Sequence, residues 1–326
     1  MRRRTIIAAL GSTAAAWPLG ARAQPKPRPT IGILGAGFPE DRAIALNLAM
    51  FRRGLRQEGF VEGQNVDVEY KWARNQPEQL PKLAAELVAR PVDLLVNEGG
   101  TITAIAAKQA TSTIPIVFHS SNAIEDDLVG NLARPSGNLT GVSLFATETL
   151  AKAFQLLTEL VPITRTVALL TAGTQQPALA ERVMQDVRGA SAAKGVELRL
   201  VNAVTDAEIE AAYAAFAGLK AAVIVFANAT YVDKLVGLAA RYALPAAYNQ
   251  RAFAVAGGLL SYGASIPAAY VTKGYYAGKI LKGAKPGDLP VQQASKFELV
   301  LNLKTAEALD LIIPPTILAS TDEVIE

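Results

Sequence analysis

Short apolar runs alternate with amphipathic helical stripes along almost the whole chain, and few folds accommodate that alternation. Residues 30–35, 65–72, 92–96 and 114–118 have strand-like composition. Between them, Ile44, Leu48, Phe51 and Leu55, and then Leu80, Leu83, Leu87 and Val88, recur at helical spacing. Strands that each lead into a helix predict parallel sheets with right-handed crossovers and helical cover. The Ala-, Leu- and Val-rich composition suits strands buried on both faces.

The alternation breaks once, over residues 129–150. Arg134-Pro-Ser-Gly-Asn138 is a turn cluster: Pro fixes φ, Gly admits positive φ, and Ser and Asn bond their own backbone. A strand over 139–145 and a helix after it restart the pattern. Further strands are expected over 165–170, 196–201, 222–226, 244–248, 257–262 and 296–302. This gives an α/β chain of two Rossmann-like lobes with parallel sheets and a cleft between them, with no residue-level repeat.

Arg2, Arg3 and Arg4, an apolar stretch over 5–16, and Ala21-Arg22-Ala23 spell a secretory signal with cleavage near Ala23. The Arg pair is equally compatible with twin-arginine or Sec export. No later run is long and apolar enough to span a bilayer, and the expected location is a bacterial periplasm. Losing Arg2, Arg3, Arg4 and Arg22 takes the formal charge from +3 to −1, so the basic balance belongs largely to the signal. With no later Lys/Arg cluster, no nucleic-acid partner is expected. The absence of cysteine excludes a disulfide framework, thiolate metal ligands and Cys nucleophiles.

Ligands of open parallel sheets bind outside the carboxyl ends of the strands. Those ends are the loops 35–38, 97–101, 119–122, 171–174, 228–230 and 248–251. Each is expected to precede a helix, whose free N–H groups suit a carboxylate or other anion. The ligand-binding candidates are Gly37, Phe38, Glu98, Gly99, Thr101, His119, Ser120, Phe145, Thr174, Asn228, Tyr248 and Arg251. The fork of Arg251 suits a solute carboxylate, or else a surface or interlobe salt bridge. Glu98 meets a ligand ammonium or supports a helix N-terminus. Phe38, Phe118, Phe145, Tyr248 and Tyr262 wall a pocket or fill a core. Asn228 and Thr174 serve contact or loop structure.

Enzyme signatures fail. Gly35 and Gly37 are followed by Glu40 where a dinucleotide fingerprint has its third Gly. There is no Gly-x-Ser-x-Gly elbow and no phosphate-binding Gly-Lys-Ser/Thr loop. His119 is the sole histidine, which reads as a pocket or hydrogen-bonding residue sooner than a base, and a zinc site would need carboxylates alone beside it. No enzyme activity, metal or cofactor is expected.

Arg134-Pro-Ser-Gly-Asn-Leu-Thr-Gly-Val-Ser143 resembles a passage typical of an ABC-transporter substrate-binding family. This is the family related to tryptophan/tyrosine-type binding proteins and abundant in rhizobia-like bacteria. Residues 256–263, 279–286 and 296–306 are similar to the same family, as are Ile313-Pro-Pro315 and the ending 322–326. The resemblance implies a type I periplasmic-binding fold with three crossings between lobes. It divides the mature chain into 24–147 plus about 265–290, and 148–264 plus about 291–326. Two departures fall at the cleft. Asn122-Ala-Ile-Glu-Asp126 stands where members often carry Asp-Pro, and His119-Ser-Ser121 replaces an apolar-small run.

The expected function is therefore a periplasmic receptor, monomeric, that closes on an amino acid or carboxylate, aromatic or not, and delivers it to an inner-membrane ABC permease. A ligand sensor for a membrane signalling partner and a secreted hydrolase using His119 are the alternatives.

Overall fold

The computed structural model describes residues 28–144, 146–172 and 177–326. The signal segment and the candidates Phe145 and Thr174 lie outside the described residues.

The first sheet uses β1 (Thr30–Gly35), β2 (Asp67–Trp72), β3 (Leu94–Glu98), β4 (Ile116–Ser120) and β5 (Leu139–Ser143). Between these strands lie α1 (Arg42–Gln57), α2 (Leu80–Val88) and α3 (Thr101–Ala110). The second sheet opens with α4 (Ala146–Leu160) and β6 (Thr166–Ala172), then α5 (Pro177–Lys194) and β7 (Glu197–Ala203). It continues through α6 (Asp206–Leu219), β8 (Ala222–Ala227), α7 (Val232–Arg241), β9 (Ala246–Tyr248), α8 (Arg251–Val255) and β10 (Leu260–Ala264). The chain then returns to the first lobe for α9 (Ile266–Leu281) and β11 (Gln292–Gln293). It ends in the second with β12 (Phe297–Asn302), α10 (Leu303–Ala308), α11 (Pro315–Ser320) and β13 (Glu323–Ile325).

Strand order is β2-β1-β3-β4-β5-β11 in one sheet and β7-β6-β8-β9-β10-β12-β13 in the other. Pairing is parallel throughout except that β12 runs antiparallel to β10. The sheets are thus parallel as expected, apart from β12, which enters directly from the other lobe with no crossover helix. β11, too short and polar to read as a strand, places residues 292–293 on the first sheet through β5.

The central strands of each sheet are buried on both faces. Ile31 and Ile33 of β1 pack with Phe51 and Leu55 of α1 and Tyr270 and Ala277 of α9. On the opposite face, Leu34 and Leu95 meet Leu80, Leu87 and Ala107 from α2 and α3. In the second lobe α4 covers one face and α6, α7 and α8 the other. Thr205 and Glu208 form a reciprocal capping box that starts α6. Helix α9 can lie against α1 because glycines meet backbone there: a Cβ on Gly274 would fall 2.0 Å from Phe51 O, and one on Gly54 1.9 Å from Val271 O.

The chain passes between sheets three times: after β5, between β10 and α9, and between β11 and β12. These crossings are tied to one another. Ala294 N–H donates to Ser143 O at 2.8 Å, and Ser265 N–H to Lys296 O at 3.0 Å.

Candidate functional site

The carboxyl ends of the two sheets border one cavity. About 90 Å3 of it is open to the centre of a water-sized sphere. One water needs ~10–15 Å3 on that measure, so the space suits a small organic molecule. The first lobe contributes Gly37 after β1, Glu98 at the end of β3, Gly99, Gly100 and Thr101 at the start of α3, and His119 and Ser121 around the end of β4. The second contributes Thr149 from α4, Phe226 and Asn228 at the end of β8, Thr230, and Asn249 and Gln250 after β9.

Local sequence explains how these groups converge. Gly99 and Gly100 take φ of +112° and +80°, a region that favours glycine, and turn the chain from β3 into α3. A Cβ on Gly99 would also lie 2.5 Å from that of Ala36. Asn97, fully buried, braces the turn. Its amide donates to Gly100 O at 2.8 Å and His119 O at 3.0 Å, and its carbonyl accepts from His119 N–H at 2.9 Å. Thr101 Oγ1 accepts from Ser121 N–H at 3.0 Å and donates to Asp126 at 2.9 Å. Asp126 also accepts from Asn122 N–H, so the stretch that departs from the family pattern shapes this wall. Across the cavity, Asn249 and Gln250 bond the backbone of Ala227.

Beneath the first-lobe wall lies a buried polar cluster. Tyr270 Oη donates to Glu98 Oε1 at 3.0 Å. The Lys273 ammonium, with no solvent exposure, bonds Asn97 O, sits 3.0 Å from His119 Nδ1, and lies 3.9 Å from the centroid of the Tyr270 ring. Burial pushes the Glu98 carboxyl above its ordinary range, against the opposing pull of Lys273, Tyr270 and Asn47. Burial likewise lowers Lys273, with Glu98 opposing. His119 is held well below the usual imidazole value, first by burial and then by the Lys273 charge.

The structure places Gly37, Glu98, Gly99, Thr101, His119 and Asn228 on the cavity. Four other candidates do not line it. Tyr248 is fully buried in the second-lobe core, its ring stacked on Phe253 with centroids 4.9 Å apart. It is the last residue of β9, and the period of two sends its side chain away from the side taken by Asn249. Ser120 is likewise buried between His119 and Ser121, both of which line the cavity. Phe38 instead lies beneath the Arg74 guanidinium, 5.8 Å from its ring centroid. Arg251 is half-exposed and gripped by Glu323 of β13 through two bonds of 2.6 Å. Its alternative reading as a salt bridge describes what it does here.

Sequence reading missed Tyr270 and Lys273. The available signal was a lysine on the apolar stripe of α9, in helical register with Tyr270, Ala277 and Ile280. Asn249 and Gln250 lie within the loop 248–251, where the larger end residues Tyr248 and Arg251 carry the stronger chemical signal in the sequence.

The sequence model of the family described as ABC transporter substrate binding protein matches residues 39–325. A tyrosine-binding protein of Clostridioides difficile is 24% identical over 271 residues, spanning 80% of this chain and 75% of that one. A crystal structure of a conserved domain protein from Vibrio cholerae superposes with a TM-score of 0.80 at 26% identity, covering 91% of this chain and 99% of the other. A Streptococcus pneumonia ABC domain in complex with L-Trp gives 0.79 at 22% identity, over 91% and 100%. The architecture shared with these neighbours is the type I periplasmic-binding fold.

Proposed function

Because the chain belongs to the ABC transporter substrate-binding protein family, we propose that it is the exported solute receptor of an ABC importer, loaded in the cavity between its two sheets and docking as a monomer on an inner-membrane permease. The observation that carries this reading is the convergence of strand-end groups from both lobes on one cavity. Such a solute touches both halves at once, and its differential contacts with the closed form drive closure through the crossings.

The lining favours a small organic molecule with polar ends. Glu98 offers an acceptor to an ammonium group. Thr101, Ser121, Thr149, Asn228, Asn249 and Gln250 offer neutral hydroxyls and amides, and Ile44, Ile102, Leu144, Phe226 and Ile266 supply apolar contact. Among the described residues no arginine or lysine lines the cavity, so a solute carboxylate is met by neutral donors and by backbone N–H at the start of α3. An amino acid fits this set, and the relative named for tyrosine makes aromatic amino acids the first compounds to try. Small-angle scattering on the mature protein tests closure. Addition of a bound solute is expected to shrink the radius of gyration, and an unchanged profile at saturation would contradict the hinge.

A further inference from the structure

We infer that Lys273 is a positioning residue for the solute site: its ammonium occupies His119 Nδ1, fixes the ring as the neutral Nε2–H tautomer, and so makes His119 a hydrogen-bond donor aimed at an oxygen acceptor of the solute. The inference rests on the reading of the cavity as a solute site and adds the chemistry that one of its walls selects.

The geometry supplies the argument. An ammonium has three N–H donors and no acceptor. Those of Lys273 find the carbonyl of Asn97, the Nδ1 lone pair of His119 and the face of the Tyr270 ring, whose π electrons attract a cation. A ring nitrogen that accepts from an ammonium carries no proton, so in a neutral imidazole the proton resides on Nε2. His119 borders the cavity, and with Nδ1 committed on the buried side, Nε2 is the nitrogen left for a solute. The charged and titratable groups around the pair are Glu98 from β3 and Tyr270 from α9, with Asp41 ahead of α1 acting on Glu98 at longer range. Glu98 compensates the ammonium, which otherwise would be a buried, unpaired charge. A wall with no exposed cation thus donates to a carboxylate or carbonyl oxygen through a neutral N–H. This selects by hydrogen-bond direction more than by charge.

Because His119 is the sole histidine, ¹⁵N-histidine labelling reports on one imidazole. Because burial lowers Lys273 to about 7, its ammonium form prevails below that pH; in the ligand-free mature protein the expected spectrum there shows Nδ1 unprotonated and Nε2 protonated, with no ring titration as pH is lowered from about 6 to about 5. In Lys273→Met, with folding verified by circular dichroism, the ring is expected to relax to a mixture of tautomers. Lys273→Arg should restore the Nε2–H form. An Nδ1–H tautomer in the wild type, or a ring that titrates near its ordinary value, would overturn the inference, as would an unchanged tautomer in a folded Lys273→Met protein. If neither variant folds, the wild-type spectrum alone decides. The measurement needs no solute, so its failure is separable from failure of the receptor reading, which shows as absence of binding.

Discussion

Arg251 spends its charge outside the cavity. Its guanidinium forms a two-pronged pair with Glu323, which raises the arginine's affinity for its proton and lowers that of the carboxylate. Both side chains are about two-fifths exposed, so the pair is screened by solvent. Arg251→Ala should therefore cost at most about 1 kcal/mol in urea unfolding and leave solute affinity unchanged. A tenfold loss of affinity would return Arg251 to the site. The residue scale is also where sequence was least informative. The loops at the strand ends were legible because Gly, Asn, Thr and Ser interrupt apolar runs at those points. Which side chain of a loop faces inward was not, because one position decides the face. Tyr248 packs into the core and Asn249, its neighbour, reaches the cavity. Lys273 was invisible for a different reason: its partners Asn97 and His119 are 176 and 154 positions away.

At the scale of elements, the site depends on how closely α9 approaches α1, since α9 carries Tyr270 and Lys273. That approach is set by Gly54 and Gly274, each of which meets a backbone carbonyl. Gly274→Val has no flexible neighbour to displace and should destabilise the protein by about 1–3 kcal/mol or more, seen as a lower urea midpoint. An unchanged midpoint would mean the helices can separate freely. A third glycine sits where the lobes meet. A Cβ on Gly37 would lie 2.5 Å from the Thr230 methyl carbon across the cleft and 2.7 Å from Ile44 Cδ1. Gly37→Val should obstruct the approach of the lobes and weaken solute binding tenfold or more, roughly 1.4 kcal/mol, while the protein stays folded. Calorimetric titration showing wild-type affinity would contradict that role. Elements themselves were well read from periodicity, since buried strands and striped helices carry the strongest pattern. β11 and β13 escaped, being two and three residues long and polar or mixed in composition.

For the whole molecule, the alternation of strand and helix and its single interruption were sufficient to give two lobes. The return of α9 to the first sheet and of β12 to the second came only with the family resemblance, because nothing local marks which sheet a segment will join. That topology turns two strand-end surfaces toward each other and links them by three crossings, two of whose contacts are backbone hydrogen bonds. The account stands or falls on the cavity holding a solute. A thermal-shift screen of the mature protein against amino acids and aromatic and aliphatic carboxylates measures this most directly. A ligand at about one hundred times its Kd stabilises the folded state by about 2.7 kcal/mol, which raises the melting temperature by several degrees. The account predicts such a rise for at least one compound in the wild type, and its loss when Asn228→Trp fills the cavity. A rise that survives Asn228→Trp unchanged, or no rise with any compound across the screen, would contradict it.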